Sequence, residues 1–139
     1  MIMPRIVGSF PPININYAPK KLGAGEKNLL KINLEIPEGF DIMAHKPAEE
    51  FLIPAEVIFK PLDGVIIGEP SYPEPIKEKL EWSDTILLLY KGRIEVDVPI
   101  EVARNGMLEL SGVISFQGCT ANQCLPPKKQ EFTLALEVE

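Results

Sequence analysis

The chain has little of what most active sites are built from: one histidine, one tryptophan and two cysteines among 139 residues. A single histidine rules out a zinc-spaced His pair, and neither a Gly-x-Ser-x-Gly elbow nor a phosphate-cradling glycine loop occurs. The longest apolar run, Ile86 to Tyr90, falls far short of the roughly 20 residues that a membrane helix needs. Basic residues nowhere cluster beyond two or three, and the formal net charge is −6. That balance argues against nucleic acid and anionic membrane surfaces as partners. Carboxylate catalysis has no support either, since Glu35 and Glu49-Glu50 fall on polar strand faces or loops where solvated charge explains them. No apolar segment follows Met1-Ile2-Met3-Pro4-Arg5, so the expectation is a cytosolic chain or one whose leader has been removed.

What is present is period-two alternation. Leu30, Ile32, Leu34 and Ile36 alternate with Lys31, Asn33 and Glu35; Ile94, Val96, Val98, Ile100 and Val102 alternate with Arg93, Glu95, Asp97 and Glu101. Such runs make strands with one face buried and one wet. Shorter strands are expected at Ile13–Tyr17, 54–60, Val65–Ile67, 85–90, Leu108–Phe116 and Phe132–Val138. Residues 1–12, with prolines at 4, 11 and 12, read as an irregular arm. Gly68 to Ser83 is a proline-punctuated excursion in which 76–82 is compatible with one or two helical turns. Asn105-Gly106 carries the strongest hairpin signal, because a type I′ turn needs positive φ at both central positions. Turns at short intervals and almost no helical period predict an all-β fold, an antiparallel β-sandwich, formed by residues 1–139 as one domain. An open Greek-key barrel is the alternative. The buried Cys…Trp…Cys spacing of an antibody domain is absent, so any immunoglobulin likeness is one of architecture.

The stretch Phe116-Gln117-Gly118-Cys119-Thr120-Ala121-Asn122-Gln123-Cys124-Leu125-Pro126-Pro127 holds both cysteines between two predicted strands. A structural disulfide would close a loop of about six residues and stabilise by roughly 2 kcal/mol. A reversible dithiol is the second reading, since strained or exposed disulfides are the labile ones and Gly118 permits close approach of a partner backbone. A soft-metal site is the third, with Cys119, Cys124, His45 and Met43 as ligands suited to Cu(I). Spacing alone leaves all three open. An inert adhesion or assembly sandwich with a permanent disulfide belongs to the first, with Tyr72 and Trp82 as ordinary packing residues. Lys128 and Lys129, just past the loop, are the only cations at hand to lower a thiol pKa.

Phe116-Gln117-Gly118-Cys119 followed by Cys124-Leu125-Pro126-Pro127 resembles the active-site hairpin of the N-terminal domain of the thiol:disulfide interchange protein DsbD. Ile36-Pro37-Glu38-Gly39-Phe40 with His45-Lys46-Pro47 is similar to that family's glycine-aromatic segment. Tyr90-Lys91-Gly92-Arg93 through Pro99-Ile100 is similar to its Tyr-x-Gly strand with a Val-Pro-Ile end. The resemblance spans roughly residues 28 to 135. It implies an immunoglobulin-like β-sandwich in the periplasm, a thiol-disulfide oxidoreductase without cofactor. It also implies electron transfer from a thioredoxin-like domain to oxidised periplasmic thiol proteins, in a pathway that includes cytochrome c biogenesis. The domain would be monomeric, and either excised from a membrane-anchored protein or a stand-alone relative. By the same resemblance Cys124 is the attacked and attacking sulfur and Cys119 the resolving one. A lid is expected within Gly68–Ser83, with Tyr72 or Trp82 as its aromatic, and Phe40, Met43 and His45 as neighbours of the sulfurs.

Overall fold

The computed structural model describes residues 10–48, 52–80 and 83–139. Among them there is no helix, and twelve strands follow one another. These are β1 (Asn14–Ala18), β2 (Lys21–Leu22), β3 (Asn28–Glu35), β4 (Asp41–Met43), β5 (Glu56–Phe59) and β6 (Val65–Ile67). They continue as β7 (Ile76–Glu78), β8 (Leu87–Tyr90), β9 (Arg93–Val102), β10 (Gly106–Phe116), β11 (Gly118–Cys119) and β12 (Lys128–Val138).

Two four-stranded sheets, β1-β3-β9-β6 and β2-β12-β10-β5, make the body of the molecule. All their pairings are antiparallel except that of β2 with β12. The alternation visible in the sequence sets which faces meet. Ile32 lies opposite Val96 and Leu34 opposite Ile94 in the first sheet; Leu110 lies opposite Leu134 and Leu108 opposite Leu136 in the second. Leu30, Ile32, Leu34, Val96, Val98 and Ile100 join Leu110, Ile114, Phe116, Leu134 and Leu136 in one buried cluster. Each such side chain removed from water contributes about 1.5–3 kcal/mol before chain entropy is set against it. The fold is the expected all-β, immunoglobulin-like sandwich.

Two local expectations fail. Asn105-Gly106 does not close a hairpin: β9 pairs with β3 and β6, whereas β10 pairs with β12 and β5. Gly106 has φ +127°, but no described non-glycine residue has positive φ, so the geometry of a type I′ turn is missing. Both flanking strands carry a continuous apolar face, and each buries it by lying in a different sheet. The chain at Ile76 is likewise not helical, because Ile76–Glu78 forms β7 against Leu87–Leu89 of β8. Prolines 73 and 75 keep the preceding residues extended, and β8 offers an open edge to pair with.

The third sheet, β11-β4-β8-β7, bears both cysteines' neighbourhood. Ile42 lies opposite Tyr90 and Gly118, while Met43 lies opposite Leu89. Ile42, Ala44 and Tyr90 belong to the main core. Met43, Leu87, Leu89 and Cys119 form a second buried cluster with Leu52 and Leu80. Strand alternation thus separates the sheet into a core-facing side and a sulfur-bearing side.

Candidate functional site

Between β10 and β12, which pair from Gly106↔Val138 to Phe116↔Lys128, residues 117–127 leave the sandwich as a small excursion. Cys119 and Cys124 face each other across it, with Cα atoms 3.9 Å apart and the sulfurs joined. Thr120 closes the tip. Its N–H donates to Gln123 O at 2.7 Å, and its Oγ1 accepts from the N–H groups of Asn122 and Gln123, each at 3.2 Å. A threonine hydroxyl satisfying the next backbone donors is a turn device of this residue type. Leu125 N–H donates to Gly118 O at 2.8 Å and completes a miniature hairpin with the disulfide at its mouth.

Gln117 and Gly118 seat this hairpin. Gln117 O accepts from Met43 N at 3.0 Å, its Oε1 accepts from Ile53 N at 3.1 Å, and its Nε2 donates to Leu125 O at 3.4 Å. A Cβ on Gly118 would lie 2.1 Å from the Phe10 ring. Phe10 is itself held edge-on between Phe40 and Phe116, with centroids 4.9 and 5.0 Å away. The glycine is therefore demanded by close packing from behind. Lys128 Nζ donates to Phe10 O at 2.6 Å, and the Gln130 amide clasps both backbone groups of Ile13 at 2.8 Å. Lys128, expected to lend the thiols positive potential, instead holds the segment that backs the hairpin.

The two sulfurs have unequal surroundings. Cys119 is wholly buried among Met43, Leu52, Leu80, Leu87 and Leu89, whereas Cys124 packs on that cluster only in part. The polar groups on the same side are Asp41, opposite Cys119 in register, with Lys91 Nζ 3.7 Å from its Oδ1 and 2.9 Å from Glu78 Oε2. Burial raises the Asp41 carboxyl above its ordinary range; Lys91 opposes the shift and Glu78 adds to it. The hydrogen bond that Lys91 donates to Glu78, set against some loss of solvation, raises the Lys91 pKa.

The family model for the N-terminal part of thiol:disulfide interchange protein DsbD matches residues 13–136. The chain belongs to the DsbD N-terminal domain family. Its fold is similar to that of the Neisseria meningitidis DsbD N-terminal domain in the reduced form, with 19% identity, 82% of each chain covered and a TM-score of 0.54. It is also similar to the complex between the DsbD N-terminal and PilB N-terminal domains from Neisseria meningitidis (21% identity, 79% of this chain and 77% of that one, TM-score 0.52). The N-terminal periplasmic domain of ScsB from Proteus mirabilis aligns over 90% of this chain and 45% of its own, at 13% identity and a TM-score of 0.58. No match is found among curated proteins.

As a DsbD N-terminal domain, the chain assembles some of the expected neighbours and not others. Met43 stands in the sulfur cluster. Phe40 packs on the other side, against Phe10, and shares a groove with Ala121 at the hairpin tip. His45 and Tyr72 do not join the sulfurs. Their rings stack at 3.7 Å, His45 Nδ1 lies 2.9 Å from Ala55 O, and Tyr72 OH accepts from Val57 N at 2.9 Å. Tyr72 packs on the main core and is not a member of the cluster around Cys119. Burial raises its phenol pKa. Among the described residues no group of three or more His, Cys, Asp or Glu is arranged to hold a metal, so the copper set of Cys119, Cys124 and His45 is not assembled. Trp82 lies outside the described residues. Asp41, Lys91, Glu78, Phe10, Gln117 and Thr120 are the site's unexpected members. An aspartate between Phe40 and Ile42 was the one available signal for the first of these.

Proposed function

We propose that this domain relays electrons in the periplasm, from a thioredoxin-like donor to oxidised periplasmic proteins, by reversible thiol-disulfide interchange at Cys119 and Cys124. The observation that carries the reading is the inequality of the pair: Cys119 is wholly buried in an apolar cluster, whereas Cys124 at the hairpin mouth is only partly buried. A staple needs no reachable sulfur, but an exchange centre does. Membership of a family defined by thiol:disulfide interchange supports the chemistry. A relative described as a complex with a second protein domain supports a macromolecular partner, and one described as periplasmic supports the compartment.

The steps balance without a cofactor. A donor thiolate attacks Cys124 Sγ, the bond to Cys119 Sγ breaks, and Cys119 leaves as a thiolate that takes up a proton. The donor's second thiol loses its proton and attacks its own sulfur in the mixed disulfide, releasing Cys124 as a thiolate. The donor is then a disulfide and the domain a dithiol, two electrons having moved. Cys124 repeats the chemistry on an oxidised acceptor, and Cys119 resolves the mixed disulfide. Met43 shields the pair from behind, while Phe40 bears on the hairpin through Phe10.

Cys119→Ala should leave Cys124 free to trap an oxidised thioredoxin-like partner as a covalent complex, seen by mass spectrometry without reductant. Cys124→Ala should trap none. Trapping only by the second variant would reverse the roles, and trapping by neither would remove the exchange reading.

A further inference from the structure

The side of the third sheet that carries the sulfurs also carries an acid. Asp41 is the cross-strand partner of Cys119. Directly opposed residues project on one face with Cβ atoms about 4.5–5.5 Å apart. Asp41 is only 8% exposed, and among the described residues Ser83 is the one other buried polar side chain. It also lies on the wall of a groove of about 440 Å³ that reaches the hairpin tip at Ala121. The carboxyl therefore stands between a sealed sulfur and a solvent-filled groove.

Reduction makes that position matter. When the disulfide breaks, Cys119 becomes a thiolate inside a cluster of Met43, Leu52, Leu80, Leu87 and Leu89. A buried unpaired charge is costly, and no cation belongs to that cluster. Cys119 is 0% exposed, so bulk water does not reach it to supply a proton.

Resting on the interchange reading above, we propose that Asp41 gives a proton to Cys119 when the disulfide is reduced and takes it back when the disulfide re-forms. As the sulfur–sulfur bond breaks, the Asp41 O–H bond breaks and a Cys119 S–H bond forms. The resulting carboxylate is held by Lys91, 3.7 Å away, and is reprotonated from the groove. The electrons come from the donor's thiols, and the donor's own protons are released to solvent, so the net transfer remains two electrons and two protons. The charged groups facing Asp41 are Lys91 beyond β8, Glu78 of β7 and, along the groove, Glu38 before β4. Burial with Glu78 opposes ionisation and keeps the acid form available above the ordinary carboxylate range, while Lys91 stabilises the product carboxylate.

The test is the rate of disulfide reduction by dithiothreitol across pH, corrected for the attacking thiolate fraction, in the wild type, Asp41→Asn and Lys91→Met. In the wild type the corrected rate should fall as Asp41 ionises. Asp41→Asn should lack that break and be about 100-fold slower at the acid end, the lower range of what a positioned acid supplies. Lys91→Met should move the break to higher pH, because the carboxylate loses its cation; if Asp41→Asn does not fold, this shift carries the test alone. An Asp41→Asn curve that equals the wild type in acid and exceeds it in base would mean that Asp41 acts only through charge, and would overturn the proposal. A break unmoved in Lys91→Met would do the same. A disulfide that resists reduction in all three proteins would instead sink the interchange reading itself.

Discussion

At Gly118 the backbone of the cysteine hairpin and the ring of Phe10 occupy adjoining space. An alanine there would drive a methyl into a ring that Phe40 and Phe116 prevent from swinging aside. Gly118→Ala should destabilise the protein by about 1–3 kcal/mol, the usual cost of overpacking, read as a lower denaturant midpoint. Asp41 contributes the opposite kind of effect, through protons. Its folded-state pKa lies above the unfolded value of 3.8, so the folded protein binds that proton more tightly. Stability from this group is present at acid pH and declines as pH rises from about 3.8 through the raised folded value. In Asp41→Asn that decline should disappear from denaturant midpoints measured across the same range. The cysteines and Gly118 were legible from their spacing. Asp41 was not, because Asp41-Ile42-Met43 is buried on both faces and loses the period-two pattern, and its opposition to Cys119 is a matter of register.

Elements that carry a long apolar alternation, such as β3, β9 and β12, lie where the pattern puts them. Their connections are less readable. Asn105-Gly106 has the composition of a hairpin turn, but whether two strands pair or pack face to face depends on what each apolar face meets. The three-residue β7 has no pattern of its own and is a strand because β8 has an edge to share. The N-terminal segment is positioned by polar contacts that leave no periodic trace. The Gln130 amide makes both hydrogen bonds to Ile13, across a separation of 117 residues. Gln130→Ala should therefore cost about 1–3 kcal/mol for the two bonds and accelerate hydrogen exchange at the Ile13 amide. Unchanged exchange there would show that the clasp does not hold the segment.

Across the whole molecule, two hydrophobic clusters divide the labour. The larger fills the sandwich, and the smaller, around Met43 and Leu89, lies beneath the sulfurs. Loss of the disulfide frees a short loop in the unfolded chain and should lower stability by about 2 kcal/mol. The sandwich core does not depend on that bond, so the reduced protein should keep the far-UV circular dichroism of the oxidised one. A carrier must tolerate both states, and a fold whose main core is a cluster separate from the one that holds Cys119 meets that requirement. The most direct measurement is a redox titration with mass-spectrometric thiol trapping of Cys119 and Cys124. The account predicts a single two-electron transition at a potential that thioredoxin-like dithiols can reach, above about −300 mV. A pair that stays oxidised well below that potential would be a structural staple, and the electron-relay account would be contradicted.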